Sequence, residues 1–140
     1  MDVETPQNVA GNHFEDVKMV RALVVDDDPI VRKLHCMYLN KHVLKNEVAE
    51  TSQEALDLFD SGKSFALVLM DLEMPVMNGA RATEELRAMG VKATIVGVTA
   101  CGVEKERAAF LAAGLDGCVD KTLTARAFIV ILDELALRVL

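Results

Sequence analysis

The sequence predicts an α/β domain built on a parallel sheet, and three observations carry that expectation. From Arg21 onward, short apolar runs alternate with stretches of helical period, and five such βα units can be counted. The runs over 22–25, 65–70 and 94–98 are apolar throughout, as strands covered on both faces should be, so they are the expected centre of the sheet. Glycines stand at the ends of the helical stretches, where the chain must turn back toward the next strand.

The elements follow in order. ALVV (22–25) is the first strand, and Asp28-Pro29 after it suits a helix N-cap and first helical residue, with Ile30, Leu34, Met37 and Tyr38 on one face. NEVAE (46–50) is the second strand; Ser52 with Glu54, then Ala55, Leu58 and Phe59, marks the second helix, closed by Gly62. FALVLM (65–70) leads to a third helix from Asn78 to Met89, closed by Gly90, and TIVGV (94–98) to a fourth from Val103 to Ala113, closed by Gly114. GCV (117–119) is the last strand. The fifth helix, over about 124–138, has Phe128, Ile129, Val130, Ile131, Leu132, Leu135, Leu137 and Val139 around most of its circumference, more apolar surface than one core contact needs. Residues 20–140 are thus expected to form one domain behind a flexible N-terminal tail over 1–19.

Bulk properties narrow the function classes. A chain of 140 residues has room for one core and not for a second catalytic domain. It is 51% hydrophobic and 26% charged, too apolar for disorder, yet no apolar run approaches the roughly 18 residues of a membrane span. The net charge of −7 argues against general nucleic-acid binding and favours a site that attracts cations or a basic partner. Cys36, Cys101 and Cys118 form no C-x-x-C pair and support neither a disulfide framework nor a zinc site. A reducing, intracellular setting is expected, since the cysteines form no framework and the acidic N-terminus has no signal-peptide pattern. The expected localisation is cytoplasmic, with the nucleus as a further compartment.

The chemistry-bearing residues sit where strands end. Asp26, Asp27 and Asp28 follow the first strand, Asp71 the third, Thr99 the fourth and Lys121 the fifth. In a parallel sheet all these ends lie on one side, and neighbouring strands are roughly 5 Å apart, so the side chains can converge. Crowded carboxylates repel unless protonated or neutralised, and an all-oxygen cluster invites a hard cation; Mg²⁺ commonly uses one or two carboxylates and completes its shell with water and a phosphate oxygen. A carboxylate can accept a phosphoryl group when a metal and cationic or hydroxyl donors offset the charge, and Lys121 and Thr99 supply such donors. Alone, an Asp pair reads as a solvated turn, a Thr as a cap and a Lys as a surface charge; together, at consecutive strand ends, they read as a site. His13 falls in the tail, and His35 and His42 on or just after the first helix read as surface or packing residues. Met74 and Met77 read as loop packing, and Gly79 as a helix start packed closely on the sheet.

The motifs VVDDDP, LVLMDLEMPVMNG, VGVTA and VDKT, in that order, resemble the receiver domains of two-component response regulators over residues 21–140. The wording DDDPIVRKLHCM and GLDGCVDKTLT is especially similar to plant type-C response regulators, stand-alone receivers of phosphorelays linked to cytokinin signalling. The resemblance implies a flavodoxin-like (βα)5 three-layer sandwich of strand order 2-1-3-4-5. It implies Asp71 as phosphoacceptor and Asp26, Asp27, Asp71 and the Glu73 main-chain carbonyl around Mg²⁺, with Mn²⁺ as a substitute. Thr99 and Lys121 would contact the phosphoryl oxygens, and Glu73 and Cys101 would tune the lifetime of the phosphorylated form, Cys101 reading otherwise as a small buried filler. A histidine-containing phosphotransfer protein is the implied donor. The expected role is a phosphate sink or attenuator, not a small-molecule enzyme, although it catalyses its own phosphorylation and dephosphorylation and so acts like a phosphohistidine phosphatase on its partner. Two positions depart from the family: Thr122 stands where a proline follows the lysine, and Cys118 where an aromatic switch residue is usual. Weak self-association through the fifth helix is expected as well. One alternative is a receiver-like interaction module that no longer accepts phosphate and works through its fifth helix. A second is a haloacid-dehalogenase-type phosphatase with Asp26 as nucleophile and Asp28 as acid, which leaves the MDLEMPVMNG block without a role.

Overall fold

The computed structural model describes residues 21–41, 45–100, 107–121 and 124–139. Strands β1 (Arg21–Val25), β2 (Lys45–Ala49), β3 (Leu67–Asp71), β4 (Thr94–Thr99) and β5 (Gly117–Asp120) alternate with helices α1 (Pro29–Lys41), α2 (Ser52–Asp60), α3 (Gly79–Ala88), α4 (Arg107–Ala112) and α5 (Ala125–Val139). The strands form one sheet in the order β2-β1-β3-β4-β5, every pair parallel. This is the flavodoxin-like order. The three continuously apolar strands lie at its centre, and from Ala22 to Val25, Leu67 to Asp71 and Thr94 to Thr99 no residue is more than marginally exposed.

Strand alternation divides the core in two. Leu23, Val25, Val68, Met70 and Ile95 point to one face and meet Ala55 of α2 and Ala82 and Leu86 of α3. Ala22, Val24, Leu67, Leu69, Val96 and Val98 point to the other and meet Leu39 of α1 and Phe128 and Ile131 of α5. Period-two side chains on a doubly covered sheet thus produce three layers.

The helix starts are made by local side chains. The Asp28 carboxylate accepts from the Ile30 amide at 2.9 Å, and its carbonyl accepts from Arg32 N at 3.0 Å, so the third acid of the triplet is consumed as a cap. Asn78 caps α3 through the Arg81 amide at 2.9 Å. The second helix starts at Ser52 as expected and is capped by Thr51: the Glu54 amide donates to Thr51 Oγ1 at 3.1 Å, while the Ser52 hydroxyl reaches across to the Met77 carbonyl at 2.7 Å.

Two expectations need correction. Ile30, Leu34 and Met37 face outward, 77%, 36% and 51% exposed, whereas His35 and Leu39 are buried and Val31 and Tyr38 half-buried. The helix carries two apolar stripes, and contact with α5 selects between them: the Tyr38 and Phe128 rings meet at 5.6 Å between centroids. Secondly, Asp71 and Thr99 are the last residues of their strands, not the residues after them; Asp71 pairs with Val98, and Thr99 with Asp120. Of the expected fourth helix, residues 103–106 lie outside the described residues. The fifth helix buries Phe128 and Ile131 and leaves Ile129 and Val130 about half exposed. Among the described residues no helix is long and apolar enough to cross a membrane.

Candidate functional site

In the order β2-β1-β3-β4-β5 the chain reverses direction between β1 and β3, so a crevice opens at the carboxyl ends of those two strands. Asp26 and Asp71 stand there, both 1% exposed. The Asp26 amide extends the β1 ladder by donating to Ala49 O at 3.1 Å, and Leu72 N extends β3 by donating to Val98 O at 2.9 Å. Backbone pairing therefore fixes both acids in place. Asp27, exposed, completes the group: ligand oxygens of Asp26, Asp27 and Asp71 all lie within 4.8 Å of one another.

Lys121 enters from β5. Its backbone amide donates to Thr99 O at 2.7 Å, and its Nζ lies 3.1 Å from Asp71 Oδ2 and 3.6 Å from Asp26 Oδ2. Burial pulls the ammonium down, but the hydrogen bond to Asp71 and the charges of Asp26, Asp71 and Asp27 outweigh it, so Lys121 is held above its ordinary range. One cation does not balance three acids. Asp26 is pushed up to about 6, first by burial and then by the charges of Asp71 and Asp27, against the Asp28 amide and Lys121. Hard oxygen donors with uncompensated charge fit a divalent cation of the Mg²⁺ type.

A pH dependence follows from Asp26. Because its pKa is raised from 3.8 to about 6, the folded chain binds this proton more tightly than the unfolded chain does. Its contribution to the ion-free fold is fully present below about pH 4 and is lost as pH rises through about 6. We expect chelator-treated Asp26→Asn to lack that decline and to be more stable than the parent at pH 7 by about 1–3 kcal/mol. Parallel thermal melts between pH 4 and 7 check this; an unchanged difference between the two proteins across that range contradicts it.

The donors at the carboxyl end of β4 are arranged around Glu73. Thr99, fully buried, donates its hydroxyl to Glu73 Oε2, and the Ala100 amide donates to Glu73 Oε1 at 2.9 Å. The Glu73 amide in turn donates to Asp71 Oδ1 at 3.0 Å. Each oxygen of the Asp71 carboxylate thus has a donor, Glu73 N on one and Lys121 Nζ on the other.

The supporting contacts of Arg32 and Ser52 were not legible in the sequence, whereas Met74 as loop packing and Gly79 as a helix start close on the sheet were. Arg32, one turn into α1, donates to the Asp26 carbonyl at 2.8 Å and lies 3.8 Å from Glu50. Ser52 anchors the loop after β3 through Met77 O, and Met74 of that loop is buried in the core. Gly79 touches β3: a β-carbon there would lie 2.1 Å from the Asp71 carbonyl oxygen. An arginine inside the helix that follows an acidic triplet is the one signal that could have been followed. Cys118 is half-buried against the core and Gly97, while Cys101, Thr122 and His42 lie outside the described residues. His35 is a packing residue, 1% exposed, and burial, with the Lys121 charge, lowers its pKa.

The chain is similar to known proteins in sequence and in fold. Two-component response regulator 24 of Arabidopsis thaliana is 42% identical over 114 residues, covering 81% of this chain and 82% of the relative. Two-component response regulator ARR22, also of Arabidopsis thaliana, is 44% identical over 109 residues, covering 76% and 77%. Among solved structures, the receiver domain of Ssk1 from Saccharomyces cerevisiae, crystallised with the histidine phosphotransfer protein Ypd1, superposes with a TM-score of 0.72 at 24% identity, covering 79% of this chain and 83% of that one. The model of the response regulator receiver domain matches residues 22–133, nearly the whole of the described fold, and the chain belongs to that family, as a receiver of two-component signalling most like short plant response regulators.

Proposed function

We propose that this receiver takes a phosphoryl group from the phosphohistidine of a histidine-containing phosphotransfer protein onto Asp71 and then loses it to water, acting as a phosphate sink. The observation that carries the proposal is the buried Asp71 carboxylate, 3.1 Å from Lys121 Nζ, in a group of three acids whose oxygens lie within 4.8 Å. An Asp71 oxygen attacks phosphorus, the P–N bond breaks as the P–O bond forms, and the bonding pair returns to the imidazole nitrogen. Lys121, Thr99 and the Ala100 amide receive the transferring oxygens. Asp26, Asp27, Asp71 and the Glu73 main-chain carbonyl would hold Mg²⁺ or Mn²⁺, which supplies positive charge against the phosphoryl group when bound. Water then attacks phosphorus, releasing inorganic phosphate and restoring the carboxylate.

A protein donor is supported by the outward stripe of Ile30, Leu34 and Met37, which starts beside the acidic group and offers an apolar rest for a docking body. The Ypd1–Ssk1 pair is an association of that kind on the same fold. The sink reading is supported by Cys118, too small to alternate between two packings in the manner of an aromatic switch. Mixing the chain with a labelled phosphotransfer protein and Mg²⁺ tests both parts. Label should leave the donor, appear briefly on this chain and accumulate as free phosphate faster than from the donor alone. Label that stays on the donor contradicts transfer; label that persists on this chain contradicts the sink.

A further inference from the structure

We infer that Glu73 is a resident stand-in for the phosphoryl group: in the unphosphorylated chain its carboxylate occupies the donors meant for phosphoryl oxygens and has to leave before transfer. The inference rests on Asp71 being the acceptor. Asp71 and Thr99 end neighbouring strands, and Asp71 pairs with Val98, the residue before Thr99, so donors at Thr99 and Ala100 line the space beside the acceptor. Glu73 fills that space with two anionic oxygens, one on the Thr99 hydroxyl and one on the Ala100 amide. A phosphoryl group also offers anionic oxygens to such donors, and both cannot use them at once.

The geometry makes the exchange feasible. The Glu73 amide is tied to Asp71 Oδ1 at 3.0 Å, so the backbone stays while the side chain moves. Glu73 is an exposed residue, so its carboxylate can rotate into water without a large desolvation change. Thr99 is fully buried with its hydroxyl already on an anionic oxygen of Glu73, and replacing one anion by another leaves it where it is. Phosphorylation would then produce little movement at β4, in keeping with a sink. The competing description is that Glu73 is a staple joining the loop after β3 to the loop after β4. The two differ in sign: removing a staple loosens the donors and weakens binding of a phosphoryl mimic, whereas removing an occupant strengthens it.

Binding of beryllium fluoride with Mg²⁺ to the parent, Glu73→Ala, Glu73→Gln and Asp71→Asn decides between them. Glu73→Ala should bind about tenfold more tightly than the parent, the parent having to give up two hydrogen bonds to a charged acceptor. Glu73→Gln, whose amide oxygen can keep one donor, should fall between; simple charge repulsion would make it equal to Glu73→Ala and overturn the assignment. Before the mimic is added, the Ala100 amide proton resonance should shift upfield in Glu73→Ala, and an unmoved resonance shows that the carboxylate does not sit there. Equal or weaker binding by Glu73→Ala, with the parent binding normally and Asp71→Asn not at all, overturns the stand-in alone. No binding by the parent removes the acceptor assignment and the stand-in together.

Discussion

Asp71→Asn is expected to abolish phosphorylation while leaving the fold intact. An amide is a poor nucleophile and cannot form a stable acyl phosphate, so label incorporation from a phosphotransfer protein or acetyl phosphate should fall by about a thousandfold or more. The fold should survive because the substitution is nearly isosteric and reduces like-charge crowding with Asp26, one of the causes of that residue's raised pKa. Lys121 would lose its stronger partner at 3.1 Å but keep Asp26 at 3.6 Å. Gel autoradiography with an amide spectrum of the same sample checks both halves. Parent-level labelling in the variant would sink the assignment of Asp71 as acceptor.

Gly79→Ala is expected to be the most destabilising single-methyl change near the site. The added β-carbon would lie 2.1 Å from the Asp71 carbonyl oxygen, 2.8 Å from Met70 Cγ and 2.9 Å from the Asp71 carbonyl carbon, distances that no side-chain rotation at Gly79 relieves. Either α3 lifts off the sheet or the end of β3 moves. Both break buried packing of Ala82 and Leu86 against Val68 and Met70, at a cost of about 3 kcal/mol or more. For a domain of this size that lowers the melting temperature by roughly 10 °C. The fraction that remains folded should also phosphorylate more slowly, because the clash falls on the peptide group of Asp71, the proposed acceptor. Gly117→Ala is the matched control, since nothing lies within 4 Å of a β-carbon there, and its melting temperature should be nearly unchanged. Equal melting temperatures for Gly79→Ala and the parent would mean that α3 does not start against β3.

Much of the fold was readable because its signals are local. Continuous apolar runs announced the central strands β1, β3 and β4, and an aspartate before a proline announced the start of α1. The family motifs announced the strand order, which periodicity alone leaves open. The gathering of Asp26, Asp27, Asp71 and Lys121 followed from strand ends alone, because parallel strands bring their carboxyl ends to one side. Even the number of acids available was legible in principle, once Asp28 is assigned to the cap.

Tertiary structure decided the choices among locally equal options. Helix α1 has two apolar stripes of similar quality, and only the position of Phe128 on α5, some ninety residues later, determines that His35 and Leu39 turn inward. The Ser52 hydroxyl could cap its own helix or reach Met77, and the packing of the loop after β3 sends it to Met77. Glu73 could point to solvent, to the acids or to Thr99, and the register of β3 with β4 brings the Thr99 and Ala100 donors within its reach. The sequence by itself determined the elements, their polarity and the acids at their ends, since backbone preference and burial period act over a few residues. Only the assembled sheet decided which side chain meets which, because those contacts join residues distant along the chain, and their energies exist only after the strands have paired.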